Sequence, residues 1–162
     1  LQQTEGMGPE SATYIKVLSA FVKRYMIDAY SADNVIKTSE DAKRYMQYRF
    51  LSDPVECVIL TCLGAGNRVV YSGKVARGTL EKVDIIPNDL VRLCLRCDAA
   101  KAVLAHNHPG GICNPSQKDL YTTYALFDAM QRVDVELFDH IIVASDGVYS
   151  MKESGMFPSA VV

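Results

Sequence analysis

Hydrophobic positions along the chain change from helical spacing to extended runs and back. Near the N-terminus, apolar side chains recur with a helical period, at Ile15, Leu18, Phe21, Val22 and Tyr25. A second helix is predicted from Thr38 to about Phe50, because Thr38 with Asp41 three residues later resembles a capping box. Asp53-Pro54 is expected to end it.

The segments that follow are predicted as strands and helices in alternation. Apolar and β-branched composition between turn residues predicts extended segments at 55–62, 68–71, 74–77, 102–105, 135–144 and 148–151. A helix is predicted at 87–97. The longest helix is expected to run to about Arg132, with Asn114 as N-cap, Pro115 as first helical residue and Gln117 three after the cap. The pattern predicts an α/β (α+β) fold that mixes helices and strands, with hairpins at both ends of the domain.

Composition limits the class of protein. The chain has 162 residues, 49% of them apolar and 22% charged, which is typical of one globular domain with a short appendage. A net charge of −2 counts against a dedicated nucleic-acid binder. No apolar run reaches membrane-spanning length and no secretory signal opens the sequence, so we expect a cytoplasmic protein that does not enter membranes.

The five cysteines form an odd set, which in a protein without a secretory signal predicts reduced thiols. Cys94 and Cys97 form a lone CxxC on a predicted helix, where packing is the main interpretation and a redox or metal role the alternative. Cys57 and Cys62 lie in an apolar run and are predicted core residues.

The N-terminal segment has an organisation of its own. The turn Gly6-Met7-Gly8-Pro9 before a helix suits contact with phosphates, and it resembles the hairpin and second helix of a helix-hairpin-helix DNA-backbone module. A loop followed by a docking helix is the alternative. We therefore predict a partial helix-hairpin-helix at 1–30, a linker at 31–37 and the main domain at 38–162, with DNA as a partner of the first segment.

The strongest chemical signal lies between 106 and 119. His106 and His108, two apart at the end of an apolar strand, point to the same side and can bind one ion. The loop Pro109-Gly110-Gly111 reverses the chain, which lets Asp119 on the next helix supply a third ligand. Three protein ligands leave a fourth tetrahedral position for water, which is typical of a catalytic zinc site.

Two further residues are candidates for catalysis. Ser116 is three residues before Asp119, and its hydroxyl can donate a hydrogen bond where an oxyanion would form. Glu56 is an acidic residue within an apolar strand, and beside a metal site it can exchange protons with a metal-activated water; a surface position on an alternating strand is the alternative.

These residues resemble a known family. His106-x-His108, seven intervening residues, Ser116, two more and Asp119 resemble the JAMM or MPN-plus (JAB domain) metalloprotease motif. The wider pattern is similar to the RadC branch, through Glu56 and through the strings 78–80, 104–109, 139–143 and 150–155. The resemblance implies a mixed, deaminase-like β-sheet flanked by helices. It also implies one Zn²⁺ held by His106, His108 and Asp119, with Glu56 as general acid/base and Ser116 as oxyanion support.

Some positions depart from the branch or have no assigned role. Gly110 stands where the branch usually has Ser, and residues 86–89 replace its Val-His-Pro-Arg-Glu. Cys113 is interpreted as an incidental loop thiol, with metal binding as the alternative, and His140 as a buried core or supporting imidazole. An HNH nuclease and a zinc deaminase are disfavoured, because the required residues are not at the required spacing.

Two functions follow as hypotheses. The first is a zinc hydrolase that cleaves a peptide or isopeptide amide in a peptide or protein substrate. The second is a factor associated with DNA repair or recombination, in which the metal is structural or acts on nucleic acid.

Overall fold

A computed structural model describes residues 4, 6–30, 35–51, 53–78 and 85–158, with the backbone alone for 27–30. Outside the described residues lie 31–34 of the predicted linker 31–37, Thr79 and Leu80 of the string 78–80, and residues at both chain ends. The elements in chain order are α1 (Pro9–Tyr30), α2 (Ser39–Phe50), β1 (Cys57–Leu63), β2 (Val69–Arg77), α3 (Pro87–Arg96), β3 (Lys101–His108), α4 (Gln117–Gln131), β4 (Glu136–Ala144) and β5 (Gly147–Ser150).

The strands form one five-stranded sheet in the order β2-β1-β3-β4-β5. Strands β3 and β4 are parallel, with α4 as the crossover between them, and the other neighbours are antiparallel. The prediction of a mixed sheet flanked by helices is confirmed, and the architecture agrees with an MPN/JAB fold.

Helices cover both faces of the sheet. Leu60 and Leu104 pack on one face with Leu126 of α4 and with residues of α3. Ile59 and Val103 lie on the other face in a cluster with α2. Every residue of β1 is buried, and this is why the strand has a continuous apolar run in place of an alternating pattern.

Several predicted boundaries change. The segments 68–71 and 74–77 form the single strand β2, and β1 starts at Cys57, so Glu56 directly precedes the strand. The predicted N-cap Asn114 is wrong: α4 starts at Gln117 with Ser116 as N-cap, because Ser116 and Asp119 satisfy each other's backbone N–H groups in a capping box. The capping box of Thr38 and Asp41 is present as predicted. Helix α1, with 22 residues, is longer than α4, with 15.

Helix α1 contacts the domain through few side chains. Ala12 is buried, and the Lys23 ammonium lies 2.9 Å from the Asp53 carboxylate, whereas Tyr14, Val17 and Phe21 are exposed. The division into a partial helix-hairpin-helix, a linker and a main domain stays a prediction. None of the helices in the described part of the chain is long and apolar enough to cross a membrane.

The cysteines are free thiols, and most of them pack in the interior. Cys57, Cys62 and Cys94 are buried, as predicted for core residues, and Cys97 is half-buried at the end of α3. The sulfurs of Cys62 and Cys94 lie 3.8 Å apart between β1 and α3. The lone CxxC thus places one thiol in the core and the other at a helix end.

Candidate metal centre

The end of β3 and the start of α4 bring three potential ligands together. His106 and His108 lie on the same face of β3, and the loop after the strand returns the chain so that α4 begins beside them. Asp119, in the first turn of α4, is 1% exposed. In the described part of the chain, these residues form the one group of three or more His, Cys, Asp or Glu side chains arranged to hold a metal ion.

The ligand atoms are spaced as one small ion requires. His106 Nε2 lies 3.0 Å from His108 Nε2 and 3.3 Å from Asp119 Oδ1, and all three potential ligand atoms fall within 4.8 Å of one another. For comparison, two ligand atoms that each lie about 2.0–2.1 Å from a tetrahedral zinc ion are about 3.3 Å from each other. The donor set of two imidazoles and one carboxylate is also one that zinc accepts.

Asp119 provides the clearest reason to expect a cation. Its Oδ2 atom accepts hydrogen bonds from the Ser116 backbone N–H at 2.8 Å and from the Ser116 hydroxyl at 2.7 Å. Its Oδ1 atom is buried and has no hydrogen-bond partner. A buried carboxylate oxygen without a partner is costly, and a bound cation would remove that cost.

The loop between β3 and α4 orients His108. His108 Nδ1 lies 2.9 Å from the Ile112 carbonyl, which can only accept, so Nδ1 carries the proton and Nε2 presents a lone pair to the site. Two hydrogen bonds connect this loop to the turn between β4 and β5. The Ser145 hydroxyl donates to the Gly111 carbonyl at 3.1 Å, and the Cys113 N–H donates to Asp146 Oδ1 at 3.0 Å.

Burial keeps the interior imidazoles neutral. Desolvation lowers the pKa of His106 to about 4, and the neighbouring Asp119 charge only partly opposes it. Desolvation also lowers the pKa of His140 well below the ordinary value. His106 is therefore an uncharged imidazole beside a carboxylate at neutral pH, which is the form that binds a metal, and not half of an ion pair.

Glu56 lies at the end of the sheet where the histidines are. The antiparallel β1–β3 ladder ends at the pair of Val58 and His106, and Glu56 and His108 each lie two residues beyond that pair, at the same end of the sheet. Glu56 is half-buried and precedes β1, whereas the sequence suggested a position inside the strand. The catalytic roles of Glu56 and Ser116 stay predictions.

Asn107, between the two histidines, was missed as a functional residue. Its side chain points to the opposite face of β3, is 4% exposed and holds the segment that carries Glu56. Asn107 Oδ1 accepts from the Cys57 N–H at 2.8 Å, and its Nδ2 lies 3.3 Å from the Val55 carbonyl. The Glu56 carbonyl accepts from the Gly78 N–H at 2.8 Å, so the backbone is held at and on both sides of Glu56.

His140 and Thr123 lie directly behind the ligands, and both are fully buried. His140 Nε2 is 2.9 Å from His106 Nδ1, which agrees with the interpretation of His140 as a supporting imidazole. No sequence signal identified Thr123, whose hydroxyl is 2.6 Å from His140 Nδ1. Cys113 is half-buried and is not a member of the ligand group.

Comparison with known proteins agrees with this geometry. The family model described as RadC-like JAB domain matches residues 36–156. A UPF0758 protein of Paraburkholderia xenovorans is 32% identical over 150 residues, which cover 93% of this chain and 59% of the relative. A UPF0758 protein of Neisseria meningitidis serogroup C is 32% identical over 158 residues, covering 98% of this chain and 70% of the relative. The relatives are thus substantially longer than this chain, and the chain itself belongs to the RadC-like JAB domain family.

Proposed function

We propose that this domain is a zinc-dependent hydrolase of the JAMM type that cleaves a peptide or isopeptide amide. The observation that carries the proposal is the convergence of three lone-pair-bearing atoms on one point, one of them the unpartnered, buried Asp119 Oδ1. The JAB family is generally hydrolytic, and its members use zinc. The five free cysteines support a site of action in the reducing cytoplasm.

Three residues of the site would bind the metal, and a fourth would transfer protons. His106, His108 and Asp119 would hold the zinc ion. When bound there, zinc acts as a Lewis acid that makes water a nucleophile near neutral pH and polarises the scissile carbonyl. Glu56, which directly precedes β1 at the end of the sheet that carries the histidines, would accept a proton from the attacking water and pass it to the departing amine.

Ser116 would support the oxyanion by turning its hydroxyl from Asp119 to the oxyanion. Its hydroxyl has one proton, which it donates to Asp119 Oδ2 at 2.7 Å. If the hydroxyl turns to an oxyanion, Asp119 Oδ2 keeps the hydrogen bond from the Ser116 backbone N–H. The aspartate therefore stays in place while the side chain of Ser116 becomes available.

A substitution at Glu56 tests the proposal. Zinc-loaded wild-type protein is incubated with a quenched fluorescent peptide library and with a branched peptide that contains a lysine isopeptide bond. Glu56→Gln is expected to keep one zinc ion per chain and to lose cleavage by 100-fold or more, as removal of a general base does, at roughly 10²–10⁴-fold. Glu10→Gln, at an exposed position on α1, is the matched control and is expected to retain activity.

Two outcomes would contradict the proposal. Equal cleavage by Glu56→Gln and wild type would remove Glu56 from the mechanism. Absence of cleavage by the zinc-loaded wild type, together with salt-sensitive binding to a DNA duplex, would favour the association with DNA.

A further inference from the structure

A chain of three buried hydrogen bonds runs behind the ligands and connects Asp119 to His106. It starts at the Asp119 backbone carbonyl, which lies 2.6 Å from Thr123 Oγ1. Thr123 Oγ1 is 2.6 Å from His140 Nδ1, and His140 Nε2 is 2.9 Å from His106 Nδ1. The chain therefore begins at the backbone of one ligand and ends at the ring of another.

The direction of these hydrogen bonds follows from counting protons. A carbonyl only accepts, so the single hydroxyl proton of Thr123 goes to Asp119 O, in preference to the weakly accepting Met151 sulfur at 3.4 Å. The Thr123 oxygen must then accept from His140 Nδ1–H. His140 is fully buried, and a proton on Nε2 in addition to the one on Nδ1 would make it a buried cation, so Nε2 has the lone pair and accepts from His106 Nδ1–H.

The last step leaves the proton of neutral His106 on Nδ1 and a lone pair on Nε2. That lone pair faces His108 Nε2 at 3.0 Å and Asp119 Oδ1 at 3.3 Å. In the other tautomer, Nε2–H would occupy the space between the ligands and block a cation. The buried hydrogen bonds thus select the tautomer that leaves the site open to a metal.

We propose that Thr123 and His140 are positioning residues that fix the tautomer of His106 and so prepare its Nε2 atom to bind the metal. The proposal rests on the proposed metal centre and goes beyond it, because it assigns a role to two side chains that do not contact the metal-binding atoms themselves. Thr123 acts through His140, and His140 acts through His106. The role differs from simple core packing, because it depends on one hydroxyl and not on the volume of the side chain.

Nitrogen NMR tests the tautomers without any substrate. The chain has three histidines, all at this site, so the imidazole region of a ¹⁵N-labelled sample shows three rings. In metal-free protein at neutral pH, each ring is expected to be protonated at Nδ1 and unprotonated at Nε2. A wild-type His106 ring protonated at Nε2 would overturn the proposal.

Substitutions at Thr123 test the consequence for metal binding. Thr123→Val keeps the shape of the side chain and removes the hydroxyl, whereas Thr123→Ser keeps the hydroxyl. Thr123→Val is expected to change the tautomer of His106 and to weaken zinc binding about 10–100-fold, as loss of a supporting hydrogen bond does. Thr123→Ser is expected to bind zinc within about threefold of wild type. Equal zinc affinity of the Val and Ser variants would contradict the role of the hydroxyl.

A second pair of variants covers the case in which Thr123→Val does not fold. In His140→Gln the amide oxygen can accept from His106 Nδ1–H, whereas in His140→Leu no acceptor remains. We expect His140→Gln to bind zinc at least tenfold more tightly than His140→Leu, and equal affinities would count against the proposal. If wild type bound no zinc, the proposal of a zinc hydrolase would be wrong, and the nitrogen spectrum would still show whether the buried hydrogen bonds fix the tautomer of His106.

Discussion

Asn107 gives the most quantitative test of how the fold supports the site. Replacement by Ala removes the acceptor of the buried Cys57 N–H, at 2.8 Å, and leaves that donor without a partner. Loss of a partner for a buried polar group costs about 1–3 kcal/mol. The contacts of Nδ2 with the Val55 and Asp53 carbonyls, at 3.3 and 3.4 Å, are longer than a strong hydrogen bond and contribute little.

We therefore expect Asn107→Ala to lower the unfolding free energy by about 1–3 kcal/mol, equivalent to a Tm decrease of about 2–12 °C in a domain of this size. Urea denaturation of the metal-free protein measures the change, with the exposed Asn114→Ala as control. Zinc affinity is expected to stay within about threefold of wild type, because the Asn107 side chain lies on the opposite face of β3 from the ligands.

The same variant connects stability with catalysis. Asn107 holds the backbone on both sides of Glu56, so its loss is expected to lower kcat while zinc stays bound. Unchanged unfolding free energy, or a loss of zinc affinity in parallel with the loss of stability, would refute the reasoning.

Two further predictions concern pH and the core. The folded state depresses the pKa of His106 from 6.5 to about 4, so the unfolded chain binds more protons between these values, and stability is lost as the pH falls. Between pH 7 and pH 5, the unfolding free energy of metal-free wild type, measured by urea denaturation, should fall by about 2 kcal/mol more than that of His106→Gln. An equal fall in the two proteins would refute this. Because both proteins contain Asp139, whose pKa is raised by burial, its opposing contribution cancels in the comparison. In the same assay, Leu126→Ala, at a fully buried site, should lower the unfolding free energy by about 2–5 kcal/mol, and the exposed Leu95→Ala by less than about 0.5 kcal/mol. Similar decreases for the two variants would contradict the assigned core.

Local patterns predicted most of the strands and the grouping of His106, His108 and Asp119. Buried strands such as β1 and β3 have continuous apolar runs, and the capping box at Thr38 requires only neighbours three residues apart. The start of α4 was predicted two residues too early, because Asn114 is also a residue type that favours the N-cap. The reciprocal hydrogen bonds between Ser116 and Asp119 decide in favour of Ser116.

Thr123 and Asn107 could not be predicted as supporting residues, because their contacts span distant parts of the chain. Thr123 meets His140 across 17 residues, and Asn107 meets Cys57 across 50. These pairs depend on the register of β1, β3 and β4 and on the crossover by α4. A threonine in a helix and an asparagine in a strand have many other uses, so their types alone carry little information.

The zinc content of the purified protein tests the central claim most directly. Metal-free wild type and His108→Ala are each titrated with zinc, and elemental analysis follows removal of the unbound ion. We expect one zinc ion per wild-type chain and a loss of at least 100-fold in affinity for His108→Ala, which lacks one of three ligands. A wild-type protein without stoichiometric zinc, or a His108→Ala variant that binds zinc equally well, would contradict the assignment of this site as a metal centre.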